Sequence, residues 1–273
     1  MSNFVRRVDV RNFNLEYDFF ISVSRRWSDA VVFLDTEFPG SIYTSAKPHY
    51  VLSLAERYAL LKANVEDIQP IQVGITICYI GRYSITWQFD LCDFDISRDR
   101  HVPESIALLE SSGLNLKHIR RFGVPIVWLA HLLINSGLIG LGSKAQWVVF
   151  QGGYDIAILL KGVWQWMRPC VKMTKSILPA TLESFLEYTR LIFCGGIYDI
   201  KCLMRVCGLH GGLERLAKQL MVEREVGKAH QAGSDSLLIC HVFFRMMALY
   251  FSSKDGRKAQ YLACRGLLHG FEY

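Results

Sequence analysis

The order of the predicted strands and helices constrains the fold of this chain most. Two segments rich in β-branched and aromatic residues, 71–80 and 82–90, flank Gly81 and predict an antiparallel hairpin. Short apolar runs at 31–34 and 147–150 predict two more buried strands. Because alternating helices and strands follow the hairpin, we expect an α/β fold with a mixed sheet.

Several segments carry helical patterns. The segment 103–113, for example, begins with Pro and ends with Gly, as helices commonly do. The predicted helices are 103–113, 125–136, 154–166, 181–193, 211–222 and 234–251. No linker or repeat interrupts them, so we expect a single domain over 1–273, with a core of about 4–250 and a weakly defined C-terminal tail.

The composition indicates a globular protein. Of the 273 residues, 51% are hydrophobic and 21% charged, which excludes a disordered chain. The N-terminus lacks the apolar core of a secretory signal, and the apolar run 124–134 is too short to span a bilayer, so we expect an intracellular protein without a membrane partner. The net charge of +6 permits a polyanionic partner but does not require one.

The eight cysteines are scattered and form no Cys-x-x-Cys pair. In an intracellular protein they are expected to be reduced thiols that pack as small apolar side chains. A zinc site made of Cys202, Cys207 and His210 is an alternative, but the usual paired spacing of zinc ligands is missing. The sequence therefore favours structural cysteines.

Two carboxylates stand one residue apart in the stretch VVFLDTEFPG, at Asp35 and Glu37. On a strand, residues i and i+2 project to the same face, so the two side chains point together while Thr36 faces away. Close carboxylates repel, and burial makes ionising both harder. Either the strand end is solvated, with an arginine nearby, or the pair binds a hard divalent cation such as Mg²⁺.

Further polar residues lie at the edges of buried segments. Asp155 follows the apolar strand at 147–150 and a Gly-Gly turn, while Asp235 opens an apolar helix five residues after His230. Each acid alone is equally explained as a first-turn charge that interacts with the helix dipole, and the histidine as a loop residue. Together with the two strand carboxylates, these positions favour a metal site.

The ordered motifs D-T-E, F-Q-G-G-Y-D and H-Q-A-G-S-D resemble those of DEDD-type exonucleases, and the His-x4-Asp spacing resembles their histidine subclass. The longer strings FLDTEFPG, YDIKCLM, GGLERLAKQL and KAHQAGSDSLL are similar to the Caf/Pop-type deadenylases, the nuclease subunits of the CCR–NOT complex. The resemblance covers about residues 4–250 and is closest to plant members.

This resemblance implies a ribonuclease-H-like fold, a mixed central sheet flanked by helices. It also implies hydrolysis of mRNA poly(A) tails from the 3′ end, with release of 5′-AMP. Asp35, Glu37, Asp155 and Asp235 resemble the acids that hold two divalent ions, Mg²⁺ or Mn²⁺, with Asp35 bridging them. His230 resembles the general base, a task that suits imidazole because it titrates near neutral pH.

Further residues near the motifs are expected to surround the site. Phe38 is a candidate to contact the terminal nucleotide, and a buried core ring is an equal alternative. We expect Tyr154 to pack in the core behind Asp155. Gln151 stands where the family commonly has His, which affects only a supporting position, and 226–229 corresponds to a flexible loop over the family's active site.

Three functions are consistent with the sequence. The first is an active deadenylase that binds poly(A), the large Not scaffold and a second deadenylase, in the cytoplasm and the nucleus, as the resemblance implies. The second is a non-catalytic scaffold subunit of the same complex. The third is a DEDD exonuclease for other RNA or DNA 3′ ends. Retention of all five site residues favours an enzyme, because a scaffold needs none of them.

Overall fold

The computed structural model describes residues 5–27, 30–79, 83–168, 176–252 and 257–272. Its strands are β1 Val5–Val8, β2 Val31–Glu37, β3 Gln72–Tyr79, β4 Tyr83–Asp90, β5 Gln146–Val149 and β6 Ile197–Asp199. They form a six-stranded sheet in the order β1-β4-β3-β2-β5-β6. The β2–β3 and β3–β4 pairs are antiparallel, and the other three pairs are parallel. The predicted mixed sheet and its hairpin are confirmed; Gly81 lies outside the described residues.

The helices are α1 Phe13–Arg26, α2 Leu54–Asp67, α3 Pro103–Ser111, α4 Leu116–Phe122, α5 Ile126–Asn135, α6 Gly153–Met167, α7 Leu182–Ile192, α8 Ile200–Val206, α9 Leu213–Gln219, α10 Ala232–Tyr250 and α11 Arg257–Ala263, with a short 3₁₀ turn at His49–Val51. All six predicted helices are present as α3, α5, α6, α7, α9 and α10, with small differences at their ends. The remaining helices and the strands β1 and β6 were not predicted.

The two faces of β2 contribute to different hydrophobic clusters. Val32 and Leu34 pack in the cluster that includes the apolar residues of α6. Phe33, on the opposite face, packs edge-on against Phe243 and Phe244 of α10, at 5.6 and 5.7 Å between ring centroids. Because side chains alternate along a strand, α10 covers the face to which Asp35 and Glu37 belong.

Strand β2 extends beyond the apolar run 31–34 that predicted it and includes Asp35 and Glu37, as their expected shared face requires. It continues past Leu34 to Glu37, because Asp35, Thr36 and Glu37 pair with Gly74, Val73 and Gln72 of β3. A neighbouring strand therefore maintains the extended backbone through both carboxylates. The strand then stops at Phe38 and Pro39, where the chain leaves the sheet.

Helix α10 is long and apolar enough to cross a membrane by length and composition. Of its most apolar stretch, 67% is buried inside the fold, between the sheet and the second hydrophobic cluster. Packing in the protein core therefore accounts for its hydropathy.

The C-terminal segment differs from the weakly defined tail that was expected. Residues 257–263 form α11, and beyond it Leu268 and Phe271 are buried. The backbone N–H of His269 donates to Asp199 Oδ2 at 3.0 Å. Residues 257–272 are thus part of the packed fold, which a periodicity pattern could not show for so short a stretch.

Helix α10 crosses the sheet in close contact with Gly74, the residue that pairs with Asp35. A Cβ atom at Gly74 would lie 1.9 Å from the carbonyl oxygen of Ala232, in the first turn of α10. No side chain can be accommodated at that distance without moving backbone. The absence of a side chain at Gly74 therefore lets the first turn of α10, with Asp235, approach Asp35.

We predict that Gly74→Ala lowers the free energy of unfolding by about 1–3 kcal/mol, because the added methyl group displaces the first turn of α10. Urea denaturation measures the change. Gly212→Ala is the matched control, since Gly212 has a negative φ and open space around its Cβ position. Equal stability of the two variants would contradict the close approach.

Candidate active site

Four carboxylates from separate parts of the chain converge at the end of β2. Asp35 and Glu37 come from the strand itself, Asp155 from the first turn of α6 and Asp235 from the first turn of α10. Burial raises the pKa of Asp35 well above its usual range, and repulsion from the other three carboxylates adds to the effect. The structure thus brings together all four acids singled out in the sequence.

The other three acids, Glu37, Asp155 and Asp235, are buried, and each residue is only 7–9% exposed. Burial raises the pKa of Glu37 to about 8, with repulsion from Asp235 and Asp155 as the second cause. Burial likewise raises the pKa of Asp155 to about 7, although a hydrogen bond from Thr36 opposes the shift. Without cations, this cluster holds protons at neutral pH.

Asp155 approaches the site from the α6 side of the sheet. Thr36 has its side chain on the face of β2 opposite to Asp35, as predicted, and its Oγ1 donates to Asp155 Oδ1 at 2.7 Å. Asp235 comes from the α10 side. Helices on both faces of the sheet therefore deliver one carboxylate each around the end of β2.

The turn before α6 depends on Asp199, a buried residue that the sequence analysis did not single out. Its carboxylate accepts four backbone N–H groups, from Gln151, Gly152, Lys201 and His269, at 2.8–3.1 Å. It caps α8 and at the same time holds the turn that leads to Asp155. An acid immediately before a helix is a recognisable N-cap signal, but its three long-range partners are invisible in the sequence.

Gln151, the departure from the family pattern, acts here through its backbone. Its φ is +57°, a left-handed conformation, and its N–H donates to Asp199 Oδ1 at 2.8 Å. The side chain is exposed. The geometry of this turn therefore relies on the main chain at position 151 and not on the Gln151 side chain.

His230 lies at the edge of the carboxylate cluster. A ring nitrogen of this exposed histidine and carboxylate oxygens of Glu37 and Asp235 all lie within 4.8 Å of one another. Its φ is +62°, and its backbone N–H donates to Asp235 Oδ2 at 2.8 Å. The left-handed backbone thus places the imidazole over the acids and also holds one of them.

Arg224 is a second residue that the sequence analysis missed. Its side chain is only 14% exposed, and Nη2 lies 2.5 Å from Asp235 Oδ1. The guanidinium also binds Glu214 in α9 and the hydroxyl of Ser234. Its positive charge lowers the pKa of Asp235 and of Asp35, which opposes the effect of burial on both. It also links α9 to α10. Ten residues of loop and helix lie between it and Asp235, so no helical or strand spacing reveals the pair.

The loop Val226–Ala229 is bonded to the start of α10. Ser234 Oγ donates to the carbonyl of Val226 at 2.5 Å, and Lys228 N–H donates to Gln231 Oε1 at 3.2 Å. Gln231 in turn donates to the carbonyl of Ser112 at 2.8 Å. The family's flexible loop stays a prediction for this chain, and these contacts locate the loop next to His230.

Phe38 and Tyr154 form a stacked pair beside the acids, with ring centroids 5.0 Å apart and planes 11° from parallel. Both rings are partly buried against the main hydrophobic cluster, which confirms the expected packing role of Tyr154. The Tyr154 hydroxyl accepts a hydrogen bond from Ser41 at 3.0 Å. A contact of Phe38 with a nucleotide stays a prediction.

The alternative zinc site is not assembled as the sequence suggested. Among the described residues, Cys202 lies near His269 and Glu272 instead of Cys207 and His210. Glu272 is already paired with Arg205 there. Cys207 and His210 are close to Cys202 in the sequence, but the fold does not group their ligand atoms with the Cys202 thiol.

The donor set at the end of β2 fits divalent cations that prefer oxygen ligands. Four carboxylates would carry four negative charges when ionised, and Arg224 neutralises one of them. At neutral pH, divalent cations compensate the remaining negative charge better than bound protons do. Carboxylate oxygens are also the ligands that Mg²⁺ and Mn²⁺ prefer. Asp35, Glu37, Asp155 and Asp235 could hold such ions, with His230 beside them.

Comparison with known proteins finds relatives that belong to one family. Residues 30–127 match the model of the CAF1 family ribonucleases. The poly(A) ribonuclease pop2 of Schizosaccharomyces pombe is 36% identical over 261 residues, which cover 93% of this chain and 72% of that protein. CCR4-associated factor 1 homolog 7 of Arabidopsis thaliana is 36% identical over 255 residues, which cover 89% of this chain and 87% of that protein.

Comparison with solved structures also finds proteins of similar fold. S. pombe Pop2p in its Mg²⁺- and Mn²⁺-bound form has a TM-score of 0.83 at 32% identity, covering 97% of this chain and 99% of that one. Yeast CAF1, co-crystallised with the NOT1 MIF4G domain, has a TM-score of 0.72 at 22% identity, covering 97% and 96%. E. coli exonuclease I with single-stranded DNA reaches 0.53 at 12%, covering 81% and 41%. The last two show the fold alone, and together the three confirm the ribonuclease-H-like class.

The carboxylate pKa shifts predict how pH and Mg²⁺ affect stability. The folded pKa of Glu37 is about 8 and that of Asp155 about 7, both above the ordinary values of 4.5 and 3.8. The folded protein therefore binds more protons than the unfolded chain, and stability without metal falls as pH rises from about 4 to 8. Since Mg²⁺ competes with these protons, it should stabilise the protein more at pH 8 than at pH 6.

Thermal unfolding in EDTA and in saturating Mg²⁺, at both pH values, measures this difference. The double variant Glu37→Gln, Asp155→Asn is the control, and its metal-free stability should depend less on pH. An equal effect of Mg²⁺ at both pH values would rule out the proposed competition.

The buried Arg224–Asp235 pair predicts a second result. Arg224→Met should lower the free energy of unfolding of the metal-free protein by about 3 kcal/mol, because Asp235 loses its cationic partner. Adding Asp235→Asn should restore part of the loss, with a coupling energy of about 1–3 kcal/mol from the double-mutant cycle. The exposed pair Arg100–Asp67 is the matched control, expected to couple by less than about 1 kcal/mol. Similar coupling energies in the two cycles would show that burial does not strengthen the interaction of Arg224 with Asp235.

Proposed function

This chain belongs to the CAF1 ribonuclease family, and on that premise we propose that it is a poly(A)-specific 3′-to-5′ exoribonuclease. It shortens mRNA poly(A) tails and releases 5′-AMP. The convergence of four carboxylates and His230 at the end of β2 carries this proposal. A scaffold subunit needs neither the costly burial of these acids nor their mutual repulsion.

The choice of poly(A) is supported by the relatives. The S. pombe relative, 36% identical over most of this chain, is a poly(A) ribonuclease, and its structure was solved with Mg²⁺ and Mn²⁺ bound. The proposal transfers both properties to this chain. Four carboxylates, Asp35, Glu37, Asp155 and Asp235, lie at one site here and would hold two divalent ions.

When bound, the two ions supply positive charge at the scissile phosphate and acidify the attacking water. The residues of the chain provide the rest. Asp35 lies centrally among the acids, since its pKa responds to all three others. Thr36 orients Asp155, and Arg224 orients Asp235.

His230 is the general base in this proposal and takes the proton of the attacking water. Its ring nitrogen is close to Glu37 and Asp235, and its exposure leaves it able to pass the proton to solvent. The hydrogen bond from its backbone to Asp235 maintains the distance between base and metal ligand. Phe38, stacked on Tyr154 and partly exposed, is proposed to contact the terminal nucleotide.

The proposed partners follow the same relatives. Yeast CAF1 was co-crystallised with a NOT1 domain, and the Arabidopsis relative is a CCR4-associated factor. We therefore extend the proposal to assembly with a Not-type scaffold and a second deadenylase, in the cytoplasm and the nucleus.

A substrate panel tests the function. Purified protein incubated with oligo(A), oligo(U) or oligo(dA) should trim oligo(A) fastest from its 3′ end in Mg²⁺ and none of them in EDTA. No trimming of any oligonucleotide would favour the scaffold function, and equal rates on all three would favour a general DEDD exonuclease.

Two variants assign the roles in the same assay. Asp235→Asn should reduce the rate by about a thousandfold or more, because loss of a metal ligand removes several kcal/mol of transition-state stabilisation. His230→Ala should reduce kcat by about a hundredfold or more, with Mg²⁺ dependence retained. Normal trimming by Asp235→Asn would refute the metal site, and an unchanged kcat for His230→Ala would refute the base.

A further inference from the structure

A groove of about 580 Å³ opens beside the candidate active site. The loop that follows Gly40 forms one wall, with Ser41 and Lys47 among its lining residues, and the C-terminal residues Gly270 and Phe271 form another. Gly153 and Tyr154, at the start of α6, also line the groove. None of the roles assigned above to the catalytic residues uses this groove.

The part of the groove that Tyr154 lines is adjacent to the catalytic acids. Tyr154 immediately precedes Asp155, stacks on Phe38 and accepts a hydrogen bond from Ser41. Phe38 in turn follows Glu37 directly in the chain. A polymer cleaved at the acids therefore has this groove as a path away from the site along the Tyr154 wall.

The groove contains a cation without an acidic partner. The Arg57 guanidinium donates to the carbonyls of Leu52, Gly270 and Tyr50 at 3.0, 3.2 and 3.5 Å. Within the described ranges, no carboxylate forms an ion pair with it. Lys47, whose side chain is 60% exposed, adds a second positive charge at the rim and forms an ion pair with the exposed Glu56. Positive charge in a groove that adjoins an anionic site suits a phosphodiester backbone.

An exposed aromatic ring lies in the same loop, between two residues that line the groove. Tyr50 is 82% exposed, and its backbone carbonyl is bound by Arg57. Pro48 and Leu52, on either side of it in the chain, line the groove. An exposed ring next to cations is the combination that binds single-stranded nucleic acid, because every base can stack on it.

We propose that this groove binds the RNA nucleotides immediately 5′ of the terminal one. Tyr50 stacks on a base, and Lys47 and Arg57 face the phosphates. The 3′ nucleotide lies at the acids, and the strand leaves over Tyr154 between the loop and the C-terminal tail. This inference rests on the proposed function, because it names where that function's substrate continues.

Binding measured without catalysis tests the proposal. The full chain is titrated in EDTA against a fluorescent oligo(A) of about 12 nucleotides, long enough to occupy an extended site. Tyr50→Ala should raise Kd by about fivefold or more, the lower end of what base stacking on an aromatic ring contributes. Lys47→Gln should lower the slope of log Kd against log salt by about 0.7, the value for one lost phosphate contact on a single strand.

Matched controls separate the groove from general surface effects. Leu141→Ala removes an apolar side chain that is 87% exposed elsewhere, and Lys117→Gln removes an exposed lysine on α4. Neither should change Kd or its salt slope. In Mg²⁺, Tyr50→Ala should raise KM for the long oligo(A) without lowering kcat.

Two results overturn the inference in distinguishable ways. If the wild-type protein trims oligo(A) but both groove variants bind the long oligonucleotide as tightly as wild type, the RNA path lies elsewhere and the proposed function stands. If the wild-type protein neither binds nor trims oligo(A), the proposed function and the RNA path fail together.

Discussion

Electrostatic repulsion among four buried carboxylates is the constraint on which the rest of this structure depends. Asp35 and Glu37 share one face of β2, and helices on both sides of the sheet bring Asp155 and Asp235 close to them. In a poorly solvated site such groups raise one another's pKa, so the arrangement costs folding free energy unless cations compensate. The fold therefore has to hold the acids in place against their repulsion.

Backbone hydrogen bonds, one close contact of a helix with the sheet and one cation do this. Asp199 gathers four backbone N–H groups and so ties the turn before Asp155 to α8 and to the C-terminal tail. Arg224 ties Asp235 to α9, and the close approach at Gly74 lets α10 reach the strand. The remaining negative charge is left for divalent ions, which links metal binding to stability and to activity through the same four side chains.

The surroundings of the site relate this chemistry to a long substrate. A nuclease that cleaves at a 3′ end must hold the polymer on the other side of the scissile bond, and the groove beside Tyr154 lies on that side of the acids in our proposal. Its walls come from distant parts of the chain, the loop after Gly40 and the C-terminal tail. The tail thus contributes to the shape of the substrate path as well as to packing.

The sequence by itself determined the local features of this protein. Periodicity predicted the hairpin, two central strands and six helices, because strand and helix patterns depend on near neighbours. The i, i+2 spacing placed Asp35 and Glu37 together, and the ordered motifs singled out Asp155, His230 and Asp235. Only the tertiary structure decided how far β2 extends, where the tail packs, and that Asp199 and Arg224 support the site. These features depend on hydrogen bonds and ion pairs between residues that are distant in the chain or joined by irregular loops, and such contacts leave no periodic pattern in the sequence.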